Sequence, residues 1–283
     1  MADPERTVTV ITDSTSDIPA DLVRELNIVV VPLNITFGSE SFRDGIDLST
    51  DQFIDMLIHS DALPTTSQPS AGEFAAAFQG ELDQGRDVVC VTIGAFLSGT
   101  HNAASIAAGK AGADRIAVID GGSTTMQMGW VAVEAARAAN TGAGMSTVRT
   151  IAEQAVGRTN LFAVLKTLDY VYKGGRIGKA SQLVGSALGI KPILAFRDGT
   201  LVPLERVRTW SKALKRIVQL VNDQGDLSDI MVLYNDNRSD AEAVLEEITQ
   251  QHPNANILLG HAGAVISTHA GPGAIGIATL RRS

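Results

Sequence analysis

Cysteine is nearly absent from this sequence. Cys90 is the single cysteine among 283 residues, so no intrachain disulfide and no paired-cysteine metal or redox motif can form. It stands in the apolar run 88–93, where a small buried hydrophobe is favoured over a nucleophile. No apolar stretch approaches the roughly 18 residues of a membrane-spanning helix, and the first residues lack the basic and apolar segments of a signal peptide. We therefore expect a reduced, cytoplasmic protein with no integral membrane segment.

Positive charge is also in deficit. The chain has 23 Lys and Arg against 31 Asp and Glu, a net charge of −8. Nucleic acid requires a basic surface, so we expect no nucleic-acid partner. A small anion is still possible, because a local cluster of N–H and hydroxyl donors can hold it within an acidic protein. The five histidines show no metal-ligand spacing, and we predict no metal site.

The pattern of apolar segments predicts an α/β fold with two domains. In residues 1–160, short strands alternate with helices, which indicates a three-layer α/β/α domain around a parallel sheet. Residues 161–283 indicate a two-layer α/β domain with a mixed sheet, including a hairpin at Arg197-Asp198-Gly199-Thr200. One continuous strand is predicted over 27–35, with Pro32 indicating an edge or a bulge. Helices are predicted near 50, from Ser70, and over 124–139, 146–156, 211–222 and 240–250.

The segment Val88 to Ala104 is the most informative stretch. An apolar strand runs into a turn containing Gly94 and Ser98-Gly99-Thr100, and an alanine-rich helix follows. Free N–H groups and the dipole at a helix start favour an anion, and the two hydroxyls add donors. The glycine spacing approaches that of a P-loop, but no lysine follows Gly99. Phe96 stands where a nucleophile elbow needs glycine.

Four other polar segments are candidates for the same site or for separate roles. Thr65, Thr66 and the residues up to Ser70 either cap a helix or donate hydrogen bonds to an anion. In the segment 267–273, Thr268 and His269 are flanked by glycines that permit close backbone approach. The turn Lys173-Gly174-Gly175-Arg176 either is a solvated turn or binds phosphate or a partner. Asp13, after the first strand, suggests a phosphotransferase aspartate, but Asx-turn and capping chemistry is favoured.

Taken together, six motifs in order give the sequence a family resemblance. They are DSTSD, DGIDLS, TSQPS, LSGT, YKGGRIGKA with IKPIL, and THAGPGAIG. In this order they resemble the DegV family of fatty-acid-binding proteins, which includes the acyl-binding subunits of bacterial fatty acid kinases. The resemblance covers essentially the whole chain and is far more specific than any one motif.

The resemblance implies a role for several residues. A long-chain fatty acid such as palmitate would lie in a buried tunnel between two domains, with no other cofactor. Its carboxylate would be bound by Thr66 and Ser98, with His269 nearby and Thr65, Gly99 and Thr268 beside them. Arg176 would help to dock the catalytic subunit of the kinase. One departure is Gln127, which stands where the family usually has glycine and bears on the pocket wall.

The chemistry of these residues favours a lipid carrier over an enzyme. Hydroxyls and a histidine satisfy a carboxylate but provide no evident activated nucleophile. We therefore expect a monomeric, non-catalytic protein that presents the acyl carboxylate to a kinase. The alternative is a small-molecule hydrolase using Ser98 and His269, or a phosphotransferase using Asp13. Acyl length and preference for unsaturation are left open.

Overall fold

The computed structural model describes residues 6–60, 63–183 and 189–283. The strands are β1 (Val8–Asp13), β2 (Val29–Val31), β3 (Asn34–Phe37), β4 (Glu40–Arg43), β5 (Thr65–Ser67), β6 (Asp87–Thr92), β7 (Ile116–Asp120), β8 (Thr159–Val164), β9 (Lys191–Arg197), β10 (Thr200–Val207), β11 (Leu227–Tyr234), β12 (Asn256–His261) and β13 (Ile275–Arg281). The helices are α1 (Ala20–Glu25), α2 (Thr50–His59), α3 (Ala71–Leu82), α4 (Thr100–Ala111), α5 (Thr125–Asn140), α6 (Met145–Val156), α7 (Asp169–Lys173), α8 (Trp210–Asn222), α9 (Arg238–Gln251) and α10 (Ala264–Ala270). Short 3₁₀ helices cover Ser14–Ser16 and Gly178–Leu183.

The chain divides into two compact units. Unit 1 contains residues up to 34 and 67–158, and unit 2 contains 35–66 and 159–283. The predicted domains, 1–160 and 161–283, differ from these units in the placement of 35–66. This segment groups with the later half of the chain because its helix α2 packs against α10. As a result, Thr65 and Thr66 lie in unit 2, whereas the rest of the TSQPS motif lies in unit 1.

Unit 1 is built on a four-stranded parallel sheet in the order β2-β1-β6-β7. On one face, Phe74 and Phe78 of α3 and the small alanine side chains of α4 pack against buried strand residues. Helices α5 and α6 contact the strands from the other face. The strand order reverses between β1 and β6, and ligands of open α/β sheets bind at the carboxyl ends of strands at such a reversal. The loops after β1 and β6 therefore occupy a favoured binding position.

Unit 2 is built on a six-stranded mixed sheet in the order β10-β9-β8-β13-β11-β12. Strands β11 and β12 are parallel, and the other neighbours are antiparallel. Helices α8 and α9 pack with the strand residues of one face. The predicted hairpin is confirmed: Asp198 and Gly199 have φ values of 50° and 70°, and Arg197 pairs with Thr200. Two consecutive left-handed residues are typical of a type I′ turn.

A small three-stranded sheet, in the order β4-β3-β5, was not predicted. The prediction of one strand over 27–35 is wrong, because the chain breaks at Pro32 into β2 and β3, which belong to different sheets. Proline has no N–H to donate to a neighbouring strand, so the ladder cannot continue through it. Thr65 to Ser67, predicted as a loop, pair as the short strand β5.

The predicted fold class is confirmed, with a parallel sheet in one unit and a mixed sheet in the other. The predicted helices are found as α2, α3, α5, α6, α8 and α9, with ends shifted by a few residues. The helix predicted after the GGRIG motif is a 3₁₀ helix at Gly178–Leu183, and residues 184–188 lie outside the described part. Across 6–60, 63–183 and 189–283, no helix is long and apolar enough to cross a membrane.

Candidate functional site

In unit 1, the loop that carries Ser98 begins directly after β6. The backbone N–H of Ile93 donates to Asp13 Oδ2 at 2.7 Å, so the loops after β1 and β6 are tied together where the strand order reverses. Asp13 is fully buried, and its Oδ1 accepts from the N–H and hydroxyl of Thr15. The capping interpretation of Asp13 is therefore confirmed. Both carboxylate oxygens of Asp13 thus accept structural hydrogen bonds.

Ser98 lies one residue before the N-cap of α4 and is half-buried. Its Oγ accepts from the N–H of Thr100 at 3.3 Å and lies 2.9 Å from Thr100 Oγ1. Thr100 is fully buried. If the Thr100 hydroxyl donates to Ser98, the Ser98 proton is left to donate to an external acceptor. The arrangement therefore suits an anion at the start of α4.

Gly99 is the N-cap of α4, and its φ of −71° is accessible to any residue. A Cβ at this position would lie 2.3 Å from Oε1 of Gln68, so a side chain here would require the end of the Gln68 side chain to move. Gln68 belongs to the TSQPS motif and was not predicted as a site residue. The structure therefore brings part of the TSQPS motif against the SGT loop within unit 1.

In unit 2, Thr66 and His269 are brought together. Thr66 Oγ1 lies 3.0 Å from His269 Nε2, although the two residues are 203 positions apart. Thr66 lies in β5, and His269 lies in the last turn of α10. Side chains alternate along a strand, so Thr65 points to the opposite face, and it is exposed. The structure therefore brings Thr66, and not Thr65, to the histidine.

The surroundings of His269 keep its imidazole neutral. Burial and, second, the positive charge of Arg176 lower the pKa of His269 from its usual 6.5 to about 4. Nδ1 is buried without a hydrogen-bond partner among the described residues, and it faces Gly174. A proton on Nδ1 would be a buried, unsatisfied donor. We therefore assign the proton to Nε2, which donates to Thr66 and leaves the Thr66 hydroxyl proton available.

Thr268 is committed within its own helix. Its hydroxyl donates to the carbonyl of Ala264 at 2.9 Å, and the residue is buried. The single proton of the hydroxyl is used in this bond, so Thr268 does not supply a donor to a head group. The placement of Thr268 beside a head-group site stays a prediction, whereas its neighbour His269 contacts Thr66.

The segment after α10 is fixed to the end of β11. Asn235 Nδ2 donates to the Gly271 carbonyl at 2.7 Å, and the Gly273 N–H donates to Asp236 Oδ1 at 2.6 Å. Gly271 has a φ of +74°, and a Cβ there would lie 2.3 Å from the ring of Tyr170. Both the backbone conformation and the space require glycine at this position. The THAGPG motif therefore holds α10, and with it His269, in place.

Arg176 is exposed in the turn after α7. Its Nη1 donates to the carbonyl of Gly174 at 2.7 Å. Gly174 in turn lies against the imidazole of His269, a contact that the sequence did not reveal. The paired glycines of the GGRIG motif were the signal for it, because one glycine is enough for a turn.

Gln127 is buried in α5, in unit 1. The helix start near it has an unusual conformation, because Thr125 has a φ of 51°. The Thr125 hydroxyl donates to Asp17 Oδ2 at 2.5 Å, which fixes that conformation. The effect of Gln127 on a pocket stays a prediction.

In residues 6–60, 63–183 and 189–283, no group of three or more His, Cys, Asp or Glu side chains is placed to hold a metal ion. A cavity of about 330 Å³ in unit 2 is lined by residues at the ends of α8 and α9, including Asn222 and His252. It contains none of the predicted site residues.

Comparison with known proteins shows the family. The model of the family described as "Uncharacterised protein, DegV family" matches residues 7–282. A DegV domain-containing protein of Halalkalibacterium halodurans is 35% identical over 275 residues, which are 95% of this chain and 97% of the relative. One of Streptomyces coelicolor is 35% identical over 281 residues, covering 98% of this chain and 99% of the relative.

Two solved structures are similar over nearly their whole length. A DegV family protein from Thermus thermophilus, described for its fatty acid binding, gives a TM-score of 0.91 at 28% identity and covers 97% of this chain and 99% of its own. DegV of Bacillus subtilis, described as a fatty acid binding protein, gives a TM-score of 0.88 at 30% identity, with 98% and 100% coverage. The chain belongs to the DegV family.

Proposed function

We propose that this protein binds a long-chain fatty acid, such as palmitate, and presents its carboxylate to a kinase. The observation that carries the proposal is the pair formed by Thr66 Oγ1 and His269 Nε2, 3.0 Å apart. The similar proteins of T. thermophilus and B. subtilis, both described as binding fatty acids, support it.

The donor count supports a carboxylate as the ligand. A neutral His269 donates to Thr66, so the Thr66 proton can point at an acceptor. Ser98 is left with a free proton when Thr100 donates to it. Each hydroxyl then offers one donor and no positive charge, which suits an acid group that must be released or passed on. Hydrogen bonds to a charged group are worth about 1.5–3 kcal/mol each.

The apolar interior of unit 2 supports a long tail. The sheet face opposite α8 and α9 carries Leu161, Leu194, Met231 and Leu233, all at most 5% exposed. A tail of about fifteen carbons gains on the order of 12 kcal/mol on burial, before the costs of ordering, at ~0.8 kcal/mol per methylene. That gain exceeds the several kcal/mol needed to remove a carboxylate from water. The tail therefore supplies the affinity, and the hydroxyls keep the head group satisfied.

Native mass spectrometry tests the proposal directly. Purified protein should carry a C14–C18 acid, which denaturation and extraction would release for identification. Delipidated protein should take up added palmitate or oleate with one-to-one stoichiometry. If no acid is recovered and none is taken up, the proposal is wrong.

The head-group assignment predicts a specific pair of mutants. Thr66→Val and Ser98→Ala each remove one donor, and each should weaken palmitate binding by about 10- to 100-fold, as expected for one bond to a charged group. Titration calorimetry on delipidated protein measures this. Thr249→Val and Ser105→Ala are matched controls, since their hydroxyls bond to helix carbonyls. Wild-type affinity in both site variants would contradict the assignment.

A carrier role is favoured over hydrolysis. Ser98 hydrogen-bonds to Thr100, and His269, the base of the hydrolase alternative, directs its Nε2 to Thr66. A serine whose hydroxyl is not activated by a base is a weak nucleophile. Nitrophenyl esters and nitrophenyl phosphate should give no turnover, and turnover abolished by Ser98→Ala would favour the enzyme.

We infer further that the protein acts as a cytoplasmic monomer and as the acyl-binding subunit of a fatty acid kinase. The exposed position of Arg176 supports a docking role. Light scattering on the purified protein tests the monomer. Acyl phosphate formed with ATP and the kinase catalytic subunit tests the presentation of the carboxylate.

A further inference from the structure

Gly174 occupies a position where the space for a side chain is already filled. Its φ and ψ of −73° and −7° are ordinary helical values, open to any residue. A Cβ at this position would lie 2.3 Å from Nδ1 and 2.9 Å from Cε1 of His269. Cβ atoms do not approach other atoms this closely. Glycine is thus required at residue 174 by the imidazole and not by the backbone conformation.

The peptide of Gly174 is held from both directions. Its N–H donates to the Tyr170 carbonyl at 2.8 Å, and its carbonyl accepts from Arg176 Nη1 at 2.7 Å. The Tyr170 carbonyl would also lie only 3.1 Å from an added Cβ. The backbone at this point is therefore a fixed wall, and an added methyl group would displace the imidazole.

We propose that Gly174 is a positioning residue. Because it has no Cβ, the imidazole of His269 can pack against its Cα and place Nε2 within hydrogen-bonding distance of Thr66. This proposal rests on the proposed function, in which Thr66 donates to the fatty acid carboxylate. Gly174 touches neither Thr66 nor a ligand and acts through the histidine. The contacts that position the imidazole run from Gly174 through His269 to Thr66, all within unit 2. The bond from the Gly174 N–H to the Tyr170 carbonyl fixes the backbone here, and the Arg176 bond adds to it from the exposed turn.

The neighbouring glycine has a different physical role and provides a control. Gly175 has a φ of +73°, and a Cβ there would meet nothing within 4 Å. Its role is to allow the left-handed conformation of the turn, and a side chain there would not contact His269. Asparagine tolerates the left-handed conformation, so Gly175→Asn changes the motif without touching the imidazole.

The first experiment compares delipidated wild type, Gly174→Ala and Gly175→Asn by titration with oleate. We expect Gly174→Ala to bind at least tenfold more weakly and Gly175→Asn to bind within twofold of wild type. Two-dimensional NMR of the imidazole nitrogens, assigned with His269→Gln, should show a changed His269 tautomer signal in Gly174→Ala alone. Unchanged His269 signals in folded Gly174→Ala would overturn the proposal whatever the affinity.

A double-mutant cycle separates positioning from general damage. In the His269→Ala background the methyl group has room, so adding Gly174→Ala should change oleate affinity less than twofold. An equal loss in both backgrounds would show that Gly174 does not act through His269. If wild type takes up no fatty acid, the proposed function fails together with this inference. If wild type binds and Gly174→Ala binds equally well, the inference alone fails.

Discussion

At the scale of single residues, the use of each hydroxyl proton separates binding groups from structural ones. Thr268 is next to His269 in sequence, yet its proton is bound to the Ala264 carbonyl. Thr66 is far away in sequence, yet its Oγ1 lies 3.0 Å from Nε2 of His269. With the imidazole proton assigned to Nε2, Thr66 accepts this bond and its own proton is left for another acceptor. A hydroxyl has one proton to give. The donor inventory therefore favours Thr66 over Thr268 and Thr65 as the head-group residue.

The lowered pKa of His269 predicts a pH dependence of stability. The unfolded chain binds a proton near pH 6.5 and the folded chain only near 4, so the free energy of unfolding rises with pH between these values. With allowance for partial exposure, the contribution is on the order of 2 kcal/mol.

Urea unfolding at pH 4.5 and pH 7.0 measures this contribution. Wild type should lose about 2 kcal/mol more than His269→Gln when the pH is lowered, because the glutamine has no proton to gain. Equal losses in the two proteins would show that His269 titrates normally in the folded state.

At the scale of elements, the capped N-termini of helices fix the course of the polar segments that precede them. Ser70 begins α3 with a capping box, in which its oxygen accepts from the Glu73 N–H at 3.2 Å and Glu73 Oε2 accepts from the Ser70 N–H at 2.7 Å. Ser49 begins α2 in the same way. These caps fix where the chain leaves each loop. The end of the TSQPS motif is thus a structural cap, whereas its beginning carries Thr66.

The cap at Ser70 predicts a loss of stability without a loss of binding. Ser70→Ala removes the bond to the Glu73 N–H and should lower the free energy of unfolding by about 1 kcal/mol. Ser70→Thr keeps an acceptor and should recover most of that loss. Urea denaturation gives the stability, and palmitate titration should give wild-type affinity for both variants. Weaker binding in Ser70→Ala alone would assign Ser70 to the head-group site.

At the scale of the whole molecule, the proposed function assigns affinity and presentation to different groups. It places the tail on the apolar face of the mixed sheet and the head group at the hydroxyls, whereas Arg176 is exposed on the turn that contacts His269. Arg176 donates to the Gly174 carbonyl from the exposed turn, and the Gly174 N–H is held independently by the Tyr170 carbonyl. We therefore expect an acidic partner to engage the arginine while the interior is unchanged. Binding and docking should therefore respond to different mutations.

Arg176→Ala tests this separation. We expect fatty acid affinity within twofold of wild type and acyl phosphate formation by the kinase reduced tenfold or more, because a charged contact to the partner is lost. Lys215→Ala, which removes an exposed cation from α8, is the matched control and should leave phosphorylation unchanged. Full kinase output with Arg176→Ala would rule out the docking role.

The local features of this protein were readable from its sequence because the interactions that make them join residues a few positions apart. The helix starts near residue 50 and at Ser70, the hairpin at Asp198-Gly199 and the Asx cap at Asp13 are of this kind. The order of the motifs was enough to indicate the family. Pro32 indicated an edge or a bulge, but the switch of the chain to a second sheet was not predictable from the proline alone.

Tertiary structure alone decided which of these groups meet. His269 reaches Thr66 across 203 positions, Gly174 makes room for the imidazole, and residues 35–66 join the second unit. Such contacts depend on how distant strands and helices return to one edge of a sheet. Residue type states which hydrogen bonds a side chain is able to make, whereas the fold determines which partner is within 3 Å of it.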